Sequence, residues 1–318
     1  MRKMICLHGL TPDQQERVRA AAPEWELVFG RASEIEVEHY RDAEVICGWS
    51  SAIAQEALKQ ETALRWVQGW SAGVDKLPLD TLRQYGVILT DASGIHPHPM
   101  AETAFALMLG LTRNLHLAVR SQQSRHWNPG SSYGEMYGKT IGIIGAGEIG
   151  MEIARLAKAF GMQVLGVRRS GRPATGVDQM TGLSGLEGVL RQSDYIVNIL
   201  PLTGETKGLF DAAAFNQMKS GSYYINIGRG ATTDTAALVG ALRSGRLAGA
   251  GLDVFDTEPL PQEHPLWELD NVILTPHIGG ATTLYTERVV QLFIYNLSYY
   301  LKGEISRMRN IVDYSKSY

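Results

Sequence analysis

Two cysteines in 318 residues, with no C-x-x-C spacing, leave this chain without a disulfide framework or a cysteine-based metal site. Cys6 and Cys47 each sit in a short apolar run, MICL and VICGW, and read as buried thiols of a reducing compartment. The histidines fall at no metal-ligand spacing, so no metal is expected. An excess of charge is also missing. Lys and Arg number 30 against 33 Asp and Glu, and a net charge of −3 offers no broad attraction to nucleic acid or to an anionic membrane. An anionic ligand therefore has to be held by local positive charge. No apolar run is clean enough to span a bilayer, since the most apolar long segment, 101–119, carries Glu102, Arg113, Asn114 and His116. The N-terminal MRKMICLHGL has too short an apolar stretch for a signal peptide and no small-residue cleavage site, which makes the cytoplasm the expected location. Internal repeats and low-complexity tracts are missing as well.

What remains is a composition ordinary for a globular protein, 44% hydrophobic and 20% charged, in a chain longer than one compact core usually holds. Short apolar runs at 3–7, 25–29, 45–47, 66–69 and 87–89 read as strands, with amphipathic stretches such as 12–22 and 52–59 between them. Strand and helix in alternation indicate a parallel sheet covered by helices. The prolines of IHPHPM (95–100) break this pattern. A long helix is then expected from near Met100 past Arg120, on the spacing of Phe105, Met108, Leu109, Leu111, Leu115 and Val119. The stretch 121–137, rich in Ser, Asn, Pro and Gly, reads as an arm or loop. A second series of strands follows at 140–144, 163–167, 195–198, 223–226, 249–252 and 272–274, enough for one doubly wound sheet. A final helix over 283–302 is placed to return to the first domain, which the terminal NIVDY would complete.

TIGIIGAGEIGMEIARLAKAFG places Gly145, Gly147 and Gly150 between an apolar strand and an amphipathic helix. In a dinucleotide loop the first glycine permits a tight turn, the second lets backbone approach a pyrophosphate, and the third packs helix on strand. The helix start, with Glu148 and Ile149, offers free N–H groups and a positive dipole end to phosphates. At the end of the next strand, where an NAD enzyme usually carries an acid for the ribose 2′-hydroxyl, this chain reads VRRSGR. Arg168 takes the acidic position and Arg169, Ser170 and Arg172 follow, a set suited to a 2′-phosphate. NADPH is expected over NADH, with NAD possible; a solvated basic turn is the alternative.

Three later segments share one logic. Arg229 in INIGRGA, Glu258 in LDVFDTEPL and His277 in LTPHIGGAT each follow an expected strand, at the carboxyl ends where open α/β sheets bind ligands. A guanidinium can hold a carboxylate and a reacting carbonyl oxygen, an imidazole can give and take a proton, and a glutamate beside it would orient the ring and stabilise its protonated form. Together they suit reduction of a ketone to an alcohol.

GAGEIG, NIGRG, DVFDTEP and TPHIGGAT resemble, in that order and over nearly the whole chain, the D-isomer-specific 2-hydroxyacid dehydrogenases. That group includes glyoxylate/hydroxypyruvate reductases, D-lactate dehydrogenase and phosphoglycerate dehydrogenase. The resemblance implies an α/β protein of two Rossmann-like domains. A doubly wound parallel-sheet cofactor domain at 99–282 would be inserted into a flavodoxin-like substrate domain made of 1–98 and 283–318. It implies Arg229, Glu258 and His277 as catalytic residues, a small 2-oxo acid as substrate with glyoxylate or hydroxypyruvate favoured, and a homodimer formed through the cofactor domains, consistent with the helix after Met100 and the arm around Trp127. GWSAGVDKL (69–77) resembles the substrate loop, with the Ala72 and Gly73 N–H groups on the substrate carboxylate opposite Arg229. Asp253 matches the residue that bonds the nicotinamide carboxamide, or else caps a strand end. Trp49 and Trp70 stand either in the pocket wall or in the core.

Two departures bear on the transfer. Lys76 replaces an Asn often found after the loop Asp, and Arg168 replaces the NAD-type acid, which fits the NADPH-preferring glyoxylate/hydroxypyruvate reductase branch. No regulatory domain is expected beyond the last helix, unlike the longer phosphoglycerate dehydrogenases. The formate dehydrogenases resemble this scaffold but carry Gln where Glu258 stands. A dehydrogenase acting on a larger 2-oxo acid and a dinucleotide-sensing corepressor are the alternatives; the corepressors retain the same three residues, but this chain lacks a motif-bearing disordered tail.

Overall fold

A computed structural model describes residues 2–59, 61–74, 77–130 and 132–314. Asp75 and Lys76 lie outside the described residues, so the Lys76 departure has no structural account. The chain divides into two compact units, Met1–Ile95 with Thr282–Tyr318, and His96–Ala281.

In the first unit β1 (Lys3–Cys6), α1 (Pro12–Ala21), β2 (Glu26–Phe29), β3 (Val45–Cys47), α2 (Ser51–Glu56), β4 (Trp66–Gln68), α3 (Leu79–Gln84) and β5 (Ile88–Thr90) follow in turn. The strands form one parallel sheet in the order β2-β1-β3-β4-β5, the flavodoxin-like order. Every residue of β1, β3 and β4 is buried, because both faces of such a sheet are covered; this is why they appear as apolar runs rather than alternations. A capping box between Thr11 and Gln14, with Pro12 at the first helical position, starts α1. Cys6 and Cys47 are free, buried and in register on β1 and β3.

The second unit opens with α4 (Pro97–Thr112) and α5 (Leu115–Gln123). The single long helix expected here is two helices, since Asn114 takes a left-handed conformation, φ 53°, that asparagine tolerates. The helix also begins earlier than expected. Pro97 and Pro99 lie in its first turn, where their missing N–H groups have no intrahelical role. Beyond α5, residues 126–130 and 132–136 carry no helix or strand, and Trp127 is 92% exposed.

Then come β6 (Thr140–Ile144), α6 (Glu148–Ala159), β7 (Gln163–Val167), β8 (Gln179–Thr181), α7 (Leu186–Gln192), β9 (Tyr195–Asn198), α8 (Ala212–Gln217), β10 (Ser222–Asn226), α9 (Thr235–Arg243), β11 (Leu247–Leu252) and β12 (Val272–Leu274). The parallel sheet is ordered β12-β11-β10-β9-β6-β7-β8 and has seven strands, one more than the sequence pattern shows. The extra strand, β8, is a three-residue edge strand without a fully buried residue. Chain order reverses between β6 and β9, the switch point beside which such sheets bind nucleotides. Finally α10 (Tyr285–Tyr300) returns to the first unit, where Val290, Phe293 and Leu297 pack with Met4, Cys6, Val45 and Trp66. Ile311 forms an antiparallel bridge to Thr90, and Val312 N donates to Leu89 O at 2.9 Å, so the terminal NIVDY joins the edge of the first sheet.

Candidate active site

The glycine loop sits at the carboxyl end of β6. The Gly145 and Ala146 N–H groups both donate to Val167 O at 2.9 Å, tying the turn to β7. Gly145 has φ +103°, and a Cβ there would lie 2.8 Å from Ile199 O, so only glycine fits. At Gly150 a Cβ would come within 3.0 Å of Gly145 O and of the Ile143 side chain, the close helix–strand contact assigned to the third glycine. Gly147 faces open space, and as N-cap of α6 it leaves the N–H groups around Glu148 and Ile149 without a side-chain cap. Open room above uncapped donors at a helix start is what a pyrophosphate requires, so these residues fit a dinucleotide.

After β7 the side chains are arranged differently from expectation. Arg168 is half-buried, and its Nη2 donates to the carbonyls of Arg172 and of Pro173, the latter at 3.0 Å. The guanidinium thus closes its own loop, while its buried Nε has no partner. Arg169 and Ser170 are exposed, and Ser170 Oγ accepts from Arg172 N at 3.4 Å. Arg168 therefore shapes the turn that presents its neighbours.

Arg229, Glu258 and His277 are brought together around one cavity of about 220 Å³, lined also by Leu202, Val254 and Phe255. Two glycines set Arg229. A Cβ on Gly228 would lie 2.8 Å from Leu200 O, and one on Gly230 only 1.9 Å from the Phe255 carbonyl carbon. The backbone is further held by Asn226, whose Oδ1 accepts from Gly228 N at 3.0 Å and whose Nδ2 donates to Arg229 O at 3.3 Å. The asparagine and glycines of NIGRG are thus demanded by close backbone packing, a signal present in the sequence but legible only through the fold.

His277 Nδ1 lies 2.7 Å from Glu258 Oε2, and Glu258 Oε1 accepts from Phe255 N at 2.9 Å. Burial by itself would raise the Glu258 pKa. The hydrogen bonds from His277 and the Phe255 N–H, with the charges of His277 and Arg229, outweigh it and hold the carboxyl below its ordinary value. His277 adopts a left-handed backbone, φ 54°, which for a residue with a side chain stores strain of about 1–3 kcal/mol. Asp253 holds that turn. Its carboxylate is 1% exposed and accepts from Thr275 Oγ1 at 2.6 Å, Ile278 N at 2.9 Å and Gly279 N at 2.8 Å. The structure thus gives Asp253 three partners within the protein that its place in the sequence did not announce. Beside the pair lies a larger cavity of about 620 Å³, lined by Pro259, Leu260, Trp267, Leu274 and Pro276 as well as Glu258 and His277.

Ala72 and Gly73 belong to the first unit, in the loop after β4. Among the described residues, no hydrogen bond occupies either N–H. Trp49 and Trp70 are both half-buried against apolar clusters of that unit. Among the described residues no three His, Cys, Asp or Glu side chains gather as a metal site, and no helix is long and apolar enough to cross a membrane.

Comparison with known proteins agrees with this arrangement. The family model described as "D-isomer specific 2-hydroxyacid dehydrogenase, NAD binding domain" matches residues 105–279. The chain is 38% identical to glyoxylate reductase from Pyrococcus furiosus over 264 residues, 80% of this chain and 78% of that one. Among solved structures it is similar to a D-isomer specific 2-hydroxyacid dehydrogenase family protein from Aeromonas salmonicida (TM-score 0.84, 35% identity, 98% and 99% of the two chains). It is also similar to an NADPH-dependent glyoxylate/hydroxypyruvate reductase from Sinorhizobium meliloti in complex with NADP and sulfate (TM-score 0.81, 26% identity, all of both chains). The chain belongs to the D-isomer specific 2-hydroxyacid dehydrogenase family. It is an NAD(P)-dependent oxidoreductase of two Rossmann-like units, acting between 2-oxo acids and D-2-hydroxy acids.

Proposed function

We propose that this dehydrogenase reduces glyoxylate or hydroxypyruvate with NADPH in preference to NADH. The observation that carries the reading is the meeting of Arg229, Glu258 and His277 around one cavity. The relatives named glyoxylate reductase and the NADP-bound Sinorhizobium meliloti enzyme support the choice of substrate and cofactor.

The unit His96–Ala281 is the cofactor unit in this reading, with Gly145, Gly147, Glu148, Ile149 and Gly150 at the pyrophosphate. Arg169 and Ser170 would hold the 2′-phosphate, on a turn closed by Arg168, and Asp253 would hold the nicotinamide carboxamide. Bound NADPH supplies a hydride for the substrate's C2. Arg229 holds the substrate carboxylate and polarises the carbonyl with its planar fork. The Ala72 and Gly73 N–H groups of the first unit's loop are donors for a substrate carboxylate. Because Glu258 engages Nδ1 of His277, Nε2 is the nitrogen left to protonate the carbonyl oxygen. Glu258 stabilises the imidazolium before that transfer, and the reverse steps oxidise a D-2-hydroxy acid.

A cytoplasmic homodimer completes the reading. Leu115, Val119, Trp127 and Tyr137 expose apolar surface on and beyond α5, which a second copy would cover. The test is a matrix of both cofactors against glyoxylate, hydroxypyruvate, pyruvate, phenylpyruvate and branched 2-oxo acids. The highest kcat/KM is expected for glyoxylate or hydroxypyruvate with NADPH, and a larger oxo acid ahead of both would overturn the substrate. Arg168→Asp, which opens the turn presenting Arg169 and Ser170, should lower the NADPH/NADH ratio of kcat/KM by about tenfold or more, the worth of one charge-assisted bond lost from that turn; an unchanged ratio removes the turn from cofactor choice.

A further inference from the structure

The loop after β4 is held from several sides within the first unit. Gly69 N donates to Thr90 O at 2.6 Å, Ala92 N to Ser71 O at 3.0 Å, Tyr285 Oη to Trp70 O at 2.6 Å, and Ser71 Oγ to Gly73 O at 2.7 Å. These bonds fix the backbone on either side of Trp70, but none reaches its indole. Its ring partner is His8, in the turn after β1. The two rings are stacked with centroids 3.6 Å apart and planes 15° from parallel. The His8 ring also packs close to Gly48, where a Cβ would lie 3.1 Å from both its Cδ2 and Nε2. Gly48 has φ +108°, a conformation that keeps this close approach open.

We propose that His8 is a positioning residue: stacked on Trp70, it holds the 70–73 loop so that the Ala72 and Gly73 N–H groups stand ready for the substrate carboxylate. This rests on the assignment of that loop to the carboxylate given above. Burial supports the role, because it pushes the His8 pKa down to about 4 and leaves the ring uncharged at neutral pH. An uncharged ring stacks as a flat surface and does not compete with the loop for the anion.

Three variants test it. His8→Ala should raise KM for glyoxylate by about five- to tenfold, the size of one lost aromatic stack, with kcat and NADPH affinity within about twofold. His8→Phe restores a flat ring and should recover most of that KM, which a general loss of stability would not do. Ala72→Pro removes one N–H donor and tests the loop assignment directly. A raised KM in Ala72→Pro with an unchanged KM in His8→Ala overturns the role of His8 alone, whereas unchanged KM in both overturns the loop assignment as well. A His8→Ala protein that loses kcat and KM together, without recovery in His8→Phe, also overturns the proposal. If Ala72→Pro fails to fold, the affinity of the His8 variants for oxamate, measured by calorimetry, separates these outcomes: weaker in His8→Ala and recovered in His8→Phe if the loop holds the carboxylate.

Discussion

Two histidine–glutamate pairs lie in the unit His96–Ala281, nearly equal in length and different in almost everything else. His277 Nδ1 is 2.7 Å from Glu258 Oε2, and His98 Nδ1 is 2.9 Å from Glu152 Oε1. Glu152 also receives two bonds from Arg155, one turn along α6, at 2.7 and 2.9 Å. Those bonds chiefly carry its pKa down to about 2, making the cluster a surface ion network. Among the described residues no guanidinium bonds Glu258. A backbone N–H fixes its second oxygen, and Arg229 acts on it only as a charge across the cavity. A carboxylate beside an imidazole is thus ordinary protein chemistry. What sets one pair apart is a strained turn held from behind, a cavity in front, and a third charged group, Arg229, on the same cavity wall.

The largest separation between the pairs should come from His277→Gln. If Nε2 of this ring moves the proton, kcat falls by about 10²–10⁴-fold while NADPH affinity, followed by fluorescence titration, barely changes. A near-normal kcat would take His277 out of the chemistry. Next comes Gly230→Ala, which forces Phe255 away and so loosens Glu258 but not Glu152. Overpacking of this kind destabilises by about 1–3 kcal/mol, a fall of several degrees in Tm, and kcat should drop with it. An unshifted Tm would mean the backbone relaxes freely there.

Glu152→Gln probes the other pair through acid stability. The folded-state pKa of about 2 lies below the ordinary 4.5, so the carboxylate's contribution is fully present above pH 4.5 and lost as pH falls toward 2. The variant should show a shallower fall of Tm across that window by circular dichroism, whereas parallel Tm profiles would deny Glu152 any part in acid unfolding. The smallest effect belongs to His98→Gln, with kcat and KM expected within about twofold of the parent. A tenfold loss there would make the two pairs alike in function.

Much of this was legible beforehand because buried parallel strands announce themselves as apolar runs; β3, β6, β7, β9 and β12 lie where those runs do. β8 was not, since Gln179-Met180-Thr181 at a sheet edge has no need of an apolar run. The break at Asn114 escaped because apolar spacing continues across it, from Leu111 to Leu115. The proximity of Arg229, Glu258 and His277 could be read from loops that follow successive strands. The inward fold of Arg168, the bonds of Asp253 and the stack of His8 on Trp70 could not. Each depends on which way a side chain turns once neighbours far along the chain are in place.

The bridge between Thr90 and Ile311, with α10 beside it, has a consequence for synthesis. Domains tend to fold as they leave the ribosome, from the N-terminus onward. Here the seven-stranded sheet is complete once β12 has emerged, but the five-stranded one is not. Until Val290, Phe293 and Leu297 arrive, the apolar cluster around Trp66 and Met4 is incomplete. The first-made segment therefore finishes last, its core open at the α10 face for as long as the inserted unit is being made.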